Sequence, residues 1–60
     1  METEKWVYVV RVHLFDLERN KPCMDEFEMG ATQELEVREW TEKTYTEKGY
    51  EVRKIEIYPG

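Results

Sequence analysis

The first third of the chain has the apolar pattern of a β-strand. Over residues 5–15 most side chains are β-branched or aromatic, and the even positions from Trp6 to Leu14 are all apolar. The odd positions are mixed and comprise Val7, Val9, Arg11, His13 and Phe15. A strand that is apolar on parts of both faces is typical of the centre of a sheet. The pattern therefore predicts a central strand over 5–15.

A loop and a weaker strand are predicted to follow. Residues 16–23 include Asn20 and Pro22, which are turn-forming residues, so this segment is expected to be a loop. Over residues 24–31 the odd positions from Phe27 onward are apolar and alternate with glutamate and glycine, which predicts a second strand.

The next segment has the signals of a helix over residues 32–48. Thr32 is a suitable N-cap, acidic residues crowd the first turns, and Gly49 provides a C-terminal stop. At 100° per residue, one helix face is predicted to pack on the sheet. That face comprises Val37, Trp40, Thr41 and Thr44, with Tyr45 at its border.

Residues 50–58 predict the last strand. Its apolar alternation shifts phase between Val52 and Ile55, so we expect a β-bulge near Arg53 and Lys54.

A hairpin of the first two strands, followed by a helix that runs back along the sheet, makes every pair of neighbouring strands antiparallel. The prediction is one α+β domain over 1–60 with ββαβ order. It has a three-stranded antiparallel sheet of order 2-1-3 and the helix packed on one face.

Length and composition exclude several classes of protein. A fold of 60 residues buries only roughly 60% of its unfolded surface, which leaves no room for an enclosed substrate cavity. The longest apolar run, 6–10, is far below the ~20 residues of a membrane span, and the acidic N-terminus is unlike a signal peptide. One cysteine and one histidine exclude an internal disulfide and the usual structural zinc sites. We expect a cytoplasmic protein without metal, cofactor or membrane contact.

Candidate catalytic residues are few, since the chain has no serine and its three glycines stand apart. His13, on the predicted sheet face away from the helix, is the only imidazole. Cys23 lies in the predicted loop with no base near it in sequence. A half-exposed strand histidine and an inert thiol are the simplest interpretations; a general base, metal ligand or nucleophile are the alternatives. We predict that the protein is not an enzyme, unless His13 and Cys23 meet beside a cleft.

The net charge of -5 is concentrated in the middle of the chain. Residues 24–48 hold eight acids and three bases, whereas 1–23 and 49–60 are each neutral. Such a surface repels nucleic acid and favours a basic protein partner. The predicted acidic binding stripe, on the outer helix face and the neighbouring edge strand, comprises Glu26, Glu28, Leu35, Glu36, Glu39 and Glu42. The alternative is that these acids only keep the helix soluble.

The sheet face away from the helix is a second candidate surface. It carries Val7, Val9 and Phe15 with Arg11 and His13. Partner proteins or a second copy of the chain commonly attach to exposed apolar side chains and to open strand edges. A homodimer is therefore the alternative hypothesis. A loop or the N-terminal residues lying over this face is the plainer explanation.

The helix end and the last strand resemble a known family. The pair Glu39-Trp40, followed by Gly49-Tyr50-Glu51-Val52-Arg53-Lys54-Ile55, resembles the small RNA-polymerase inhibitor of short-tailed coliphages. That family has one helix on a three-stranded antiparallel sheet. It blocks transcription initiation by binding bacterial polymerase through basic last-strand residues and an acidic strip. The resemblance implies Arg53 and Lys54 as partner-binding residues, with Lys54 at a basic contact position and Glu56 where the family has a second arginine.

Together these observations favour a non-enzymatic, phage-type inhibitor of a larger bacterial protein. The acidic side chains are expected to occupy a basic site, partly as mimics of phosphate, and RNA polymerase is the first candidate. A self-associating module that uses the sheet face or an edge strand is the alternative function.

Overall fold

The computed structural model describes residues 5–60. Strand β1 spans Trp6–Asp16, β2 spans Lys21–Ala31, helix α1 spans Glu34–Glu47, and β3 spans Tyr50–Pro59. The strands form one antiparallel sheet in the order β2-β1-β3. This confirms the predicted α+β fold, its ββαβ order and the central place of β1.

The first connection is shorter than the sequence predicted. The expected loop over 16–23 shrinks to residues 17–20, because Asp16 and Lys21 already pair across β1 and β2. Pro22, which indicated a loop, instead lies near the start of an edge strand, where proline is tolerated because one side of the strand forms no ladder.

Two polar residues shape the turn itself, one through its side chain and one through its backbone conformation. The Asp16 carboxylate accepts hydrogen bonds from the backbone N–H groups of Glu18 and Arg19, at 3.0 and 3.1 Å. Asn20 takes the left-handed conformation, with φ of 55°, which asparagine adopts more readily than most residues. These contacts allow both strands to extend to eleven residues.

The core lies between α1 and the sheet face formed by the even positions of β1. Its buried residues are Val10, Val12, Leu14, Ala31, Val37, Thr41 and Tyr45. The one polar hydroxyl among the fully buried groups is satisfied, since Thr41 donates to the carbonyl of Val37 at 2.8 Å. Trp6 shares the helix-facing parity but is 59% exposed. A 14-residue helix of about 21 Å is shorter than an 11-residue strand of about 36 Å, so it cannot cover the whole sheet.

The helix begins later than predicted. Its N-cap is Gln33, which makes no side-chain capping bond, rather than Thr32. The Thr32 hydroxyl instead donates to the carboxylate of Glu36 at 2.7 Å, so it supports the first turn from one residue further out. At the other end Gly49 adopts φ of 94°, as expected of a helix stop. Within residues 5–60 no helix has the length and apolarity needed to cross a membrane.

The predicted β-bulge is present in β3. His13 pairs with Lys54 whereas Leu14 pairs with Val52, so Arg53 is the extra residue opposite β1. The bulge resolves the phase shift that the sequence shows in this strand, because it returns the apolar residues on both sides of it to the core.

Candidate partner-binding surfaces

The outward face of α1 is acidic. Its buried residues recur at four-residue intervals, from Val37 through Thr41 to Tyr45, so residues about half a turn away point to solvent. The exposed residues that form this acidic helix face are Leu35, Glu36, Glu39, Glu42 and Glu47. Five acids and two bases give α1 a net charge of -3.

The acidic residues of this face differ in whether another side chain of the protein binds their carboxylate. Glu34, at its margin, accepts a hydrogen bond from Arg38 at 3.4 Å, and Glu36 is held by Thr32. The ion pairs found among residues 5–60 do not include Glu39 or Glu42. These carboxylates are therefore available to a partner without first breaking an internal ion pair.

The structure divides the predicted acidic stripe. Phe27 and Met29 pack against the core, so the alternation of β2 places Glu26 and Glu28 on the opposite sheet face. Glu26 also forms an ion pair with Arg11 at 3.0 Å. The expectation that these two glutamates extend the helix acids into one surface is therefore wrong, because strand parity turns them away from α1.

The basic residues of the last strand lie on this same sheet face, the one away from α1, which we call the back face. Lys54 pairs with His13, and the guanidinium of the bulged Arg53 lies over the ring of Phe15, 4.4 Å from its centroid. Arg53 also hydrogen-bonds Glu51 at 3.1 Å. The structure therefore joins two predicted sets, the last-strand bases and the sheet-back residues, into one surface.

Charges at the centre of the back face are paired with each other. The hydrogen bond and charge of Glu26 raise the pKa of Arg11 above its ordinary value. Burial acts to raise the pKa of Glu56, but hydrogen bonding to His13, at 3.5 Å, and the nearby charge of Lys54 outweigh it and hold that pKa below its ordinary value. Glu56 thus forms contacts within the sheet, at the position where the coliphage inhibitor family has a second arginine.

Apolar side chains lie at both ends of the back face. Val7 is 53% exposed and Tyr58 46% exposed near one end, and Met24 is 57% exposed toward the other. Val9 and Phe15 are half-buried. No loop or other element among residues 5–60 packs over this face. The alternative that the N-terminal residues cover it concerns residues 1–4, which lie outside the described part of the chain.

An exposed tryptophan on α1 was missed by the sequence analysis. Trp40, expected on the packed helix face, is 47% exposed. Its ring packs edge-to-face on Phe27, with centroids 5.6 Å apart. The helix lies closer to β3 than to β2, so a residue on its β2 side is only partly covered. The one sequence signal was its position at the edge of the apolar stripe centred on Thr41.

His13 and Cys23 do not form a catalytic pair. Cys23 lies opposite Leu14, a buried residue of the helix-facing side, whereas His13 occupies the next position of β1 and so points to the back face. Cys23 is exposed. Among residues 5–60 no group of three or more His, Cys, Asp or Glu side chains is placed to hold a metal ion.

Comparisons of the chain with protein-family models, with curated proteins and with solved structures found no match, so no relative assigns a role to these surfaces.

Proposed function

We propose that this chain is a non-enzymatic binding protein that places its acidic helix face against a basic site on a larger bacterial protein. The observation that supports this most directly is that Glu39 and Glu42 are exposed and form no ion pair within residues 5–60. Carboxylates on a folded helix present negative charge at fixed positions, as phosphates do. They attract a basic site over a distance and make association fast and salt-sensitive.

RNA polymerase is our first candidate for the partner. The resemblance in Glu39-Trp40 and in residues 49–55 supports it, and so does the agreement between the family's fold and this one. Arg53 and Lys54 belong to the back face of the sheet, but both also line a shallow depression with Glu42 of the helix. This proposal therefore requires a partner that contacts both sides of the domain across the β3 edge. It also implies a phage protein that acts in the cytoplasm of its bacterial host.

The test is capture of partners from bacterial lysate with the tagged protein at low and at high salt, followed by mass spectrometry. The helix-acid variant combines Glu36→Gln, Glu39→Gln and Glu42→Gln. A control variant with the same net charge combines Glu2→Gln, Glu4→Gln and Glu18→Gln, which precede or follow β1 in the chain and belong to none of the predicted partner-binding sets. We expect wild type and control to retain polymerase subunits at low salt, and the helix-acid variant to lose them.

Two results would count against this function. Equal capture by the helix-acid variant and the control would show that the helix acids serve only solubility. Recovery of the tagged chain alone at both salts would argue against any lysate partner of this kind.

A second candidate function is self-association through the back face of the sheet, as suggested by the apolar residues that are exposed on it, Val7, Met24 and Tyr58. We expect Val9→Asp or Phe15→Asp to abolish a dimer in that case, because each places a charge inside the contact. Light scattering after size-exclusion chromatography measures the mass over a range of concentrations. A monomer mass at every concentration would contradict self-association.

A further inference from the structure

We propose that Trp40 is the anchor of the acidic helix face and binds an arginine side chain of the protein partner. This inference rests on the proposed function, since it identifies the part of a basic partner that the helix recognises. It adds a residue that neither net charge nor the acidic stripe identifies.

The packing of Trp40 makes it suited to such a role. Almost half of its surface is exposed, yet the edge-to-face contact with Phe27, at an interplanar angle of 62°, fixes the orientation of the ring. A partner therefore gains aromatic contact area without first ordering a mobile side chain. Tryptophan is among the residue types most enriched at the energetic hot spots of interfaces.

The surroundings of Trp40 indicate the chemistry of the partner. A shallow, open depression of about 570 Å³ lies on the outer side of the helix, and it is lined by Glu39, Trp40, Glu42, Lys43, Thr46 and Glu47. Three carboxylates against one ammonium favour a cation at this surface. The same charge disfavours nucleic acid and anionic membranes.

Arginine fits this combination better than lysine. A guanidinium stacks its flat face on an indole and donates several hydrogen bonds to carboxylates at the same time, whereas an ammonium is a hydrated point charge. Glu39 and Trp40 both line the depression, so one side chain of the partner that enters it can contact both groups. The geometry therefore points to an arginine-containing basic segment.

The chain offers a matched control in its second exposed tryptophan. Trp6 is 59% exposed, but it lies at the start of β1 opposite Ala31, away from the lining of the depression. Trp6→Leu and Trp40→Leu thus remove the same aromatic group from two different surfaces. Trp40→Tyr restores an aromatic ring where the leucine variant has none.

The experiment measures binding of fluorescein-labelled hexa-arginine and hexa-lysine peptides by anisotropy at low salt. We expect wild type to bind the arginine peptide more tightly, and Trp40→Leu to weaken that binding about fivefold to tenfold while Trp6→Leu leaves it unchanged. Trp40→Tyr should recover most of the affinity. In a Trp6→Phe background, where Trp40 is the only tryptophan, its emission should change saturably with the arginine peptide.

The outcomes separate this inference from the proposed function. If Trp40→Leu, shown to be folded by circular dichroism, binds as well as Trp6→Leu, the anchor role is wrong. A loss of peptide binding in the helix-acid variant alone then leaves the proposed function standing. Equal affinity for arginine and lysine peptides, or no binding of either by wild type, also overturns the inference, whereas lysate capture tests the proposed function independently.

Discussion

Tyr45 joins the helix to all three strands, since it packs with Val12 and Leu14 of β1 and also contacts residues of β2 and β3. It is 7% exposed, and its ring lies 6.2 Å from that of Phe27 and 6.0 Å from that of Tyr50. Its hydroxyl donates to the carboxylate of Asp25 on the edge strand, at 2.5 Å. Burial first, and then this hydrogen bond, raise the pKa of Tyr45 above its ordinary value.

We predict that Tyr45→Phe lowers the free energy of unfolding at pH 7 by about 1 kcal/mol, because one charge-assisted hydrogen bond is lost while the ring remains. A raised pKa in the folded state means that the hydroxyl contributes fully below its ordinary pKa near 10 and loses that contribution as pH rises through the folded value. Urea unfolding at pH 7 and above pH 10 measures both effects. A Tyr45→Phe variant that unfolds like wild type at pH 7 would contradict this role for the hydroxyl.

The contrast between Tyr45 and Trp40 shows what a helical wheel leaves undetermined. The wheel places both near the apolar stripe, and it correctly identifies Val37 and Thr41 as buried. It carries no information about where the helix axis lies above the sheet. Because α1 lies closer to β3, Tyr45 is enclosed and Trp40 is half exposed. The exposure of residues at the border of the apolar stripe therefore depends on how the helix packs on the sheet, which the helical wheel does not contain.

Among the elements, β3 owes its arrangement to a single inserted residue. With Arg53 as the bulge, Val52 and Ile55 both pack on the core cluster that includes Leu14. The phase shift in the sequence was sufficient to predict the bulge, because apolar side chains must return to the buried face whatever the backbone does.

We predict that deletion of Arg53 leaves the chain folded. Without that residue, Val52, Lys54 and Ile55 alternate regularly and the apolar pair still faces the helix. Deletion of Glu56 serves as the control: it shifts the parity of the residues after it, turns Ile57 toward solvent and costs about 2 kcal/mol. Urea unfolding of both deletions measures the difference. A loss of folding on deletion of Arg53 would show that the bulge is required rather than merely accommodated.

In the edge strand β2, by contrast, the position of two charged residues was predicted wrongly although the sequence contains the signal for it. The alternation of Phe27 and Met29 with Glu26 and Glu28 already contains the parity that places the two glutamates behind the sheet. The sign of their charge groups the two glutamates with the helix acids, but the alternation of the strand places them on the other side of the sheet. The ion pair of Glu26 with Arg11 could not be predicted, since it depends on the register of the hairpin and therefore on the length of its turn.

The whole molecule presents two unlike faces on opposite sides of a thin fold. The helix side carries a net charge of -3 on α1. The sheet back carries acids and bases that are largely paired, with apolar residues at both ends. Long-range attraction of a basic partner therefore comes mainly from the helix side, because opposite charges in close pairs cancel each other at a distance.

The central claim is that the acidic helix face carries the binding. The most direct test is the dissociation constant for purified bacterial RNA polymerase as a function of salt, for wild type, the helix-acid variant and the control variant. We expect the helix-acid variant to bind about tenfold more weakly at low salt and to have a shallower salt dependence, because it lacks three carboxylates that attract the basic site. The control variant should resemble wild type. Equal affinities and equal salt slopes for all three proteins would contradict the claim.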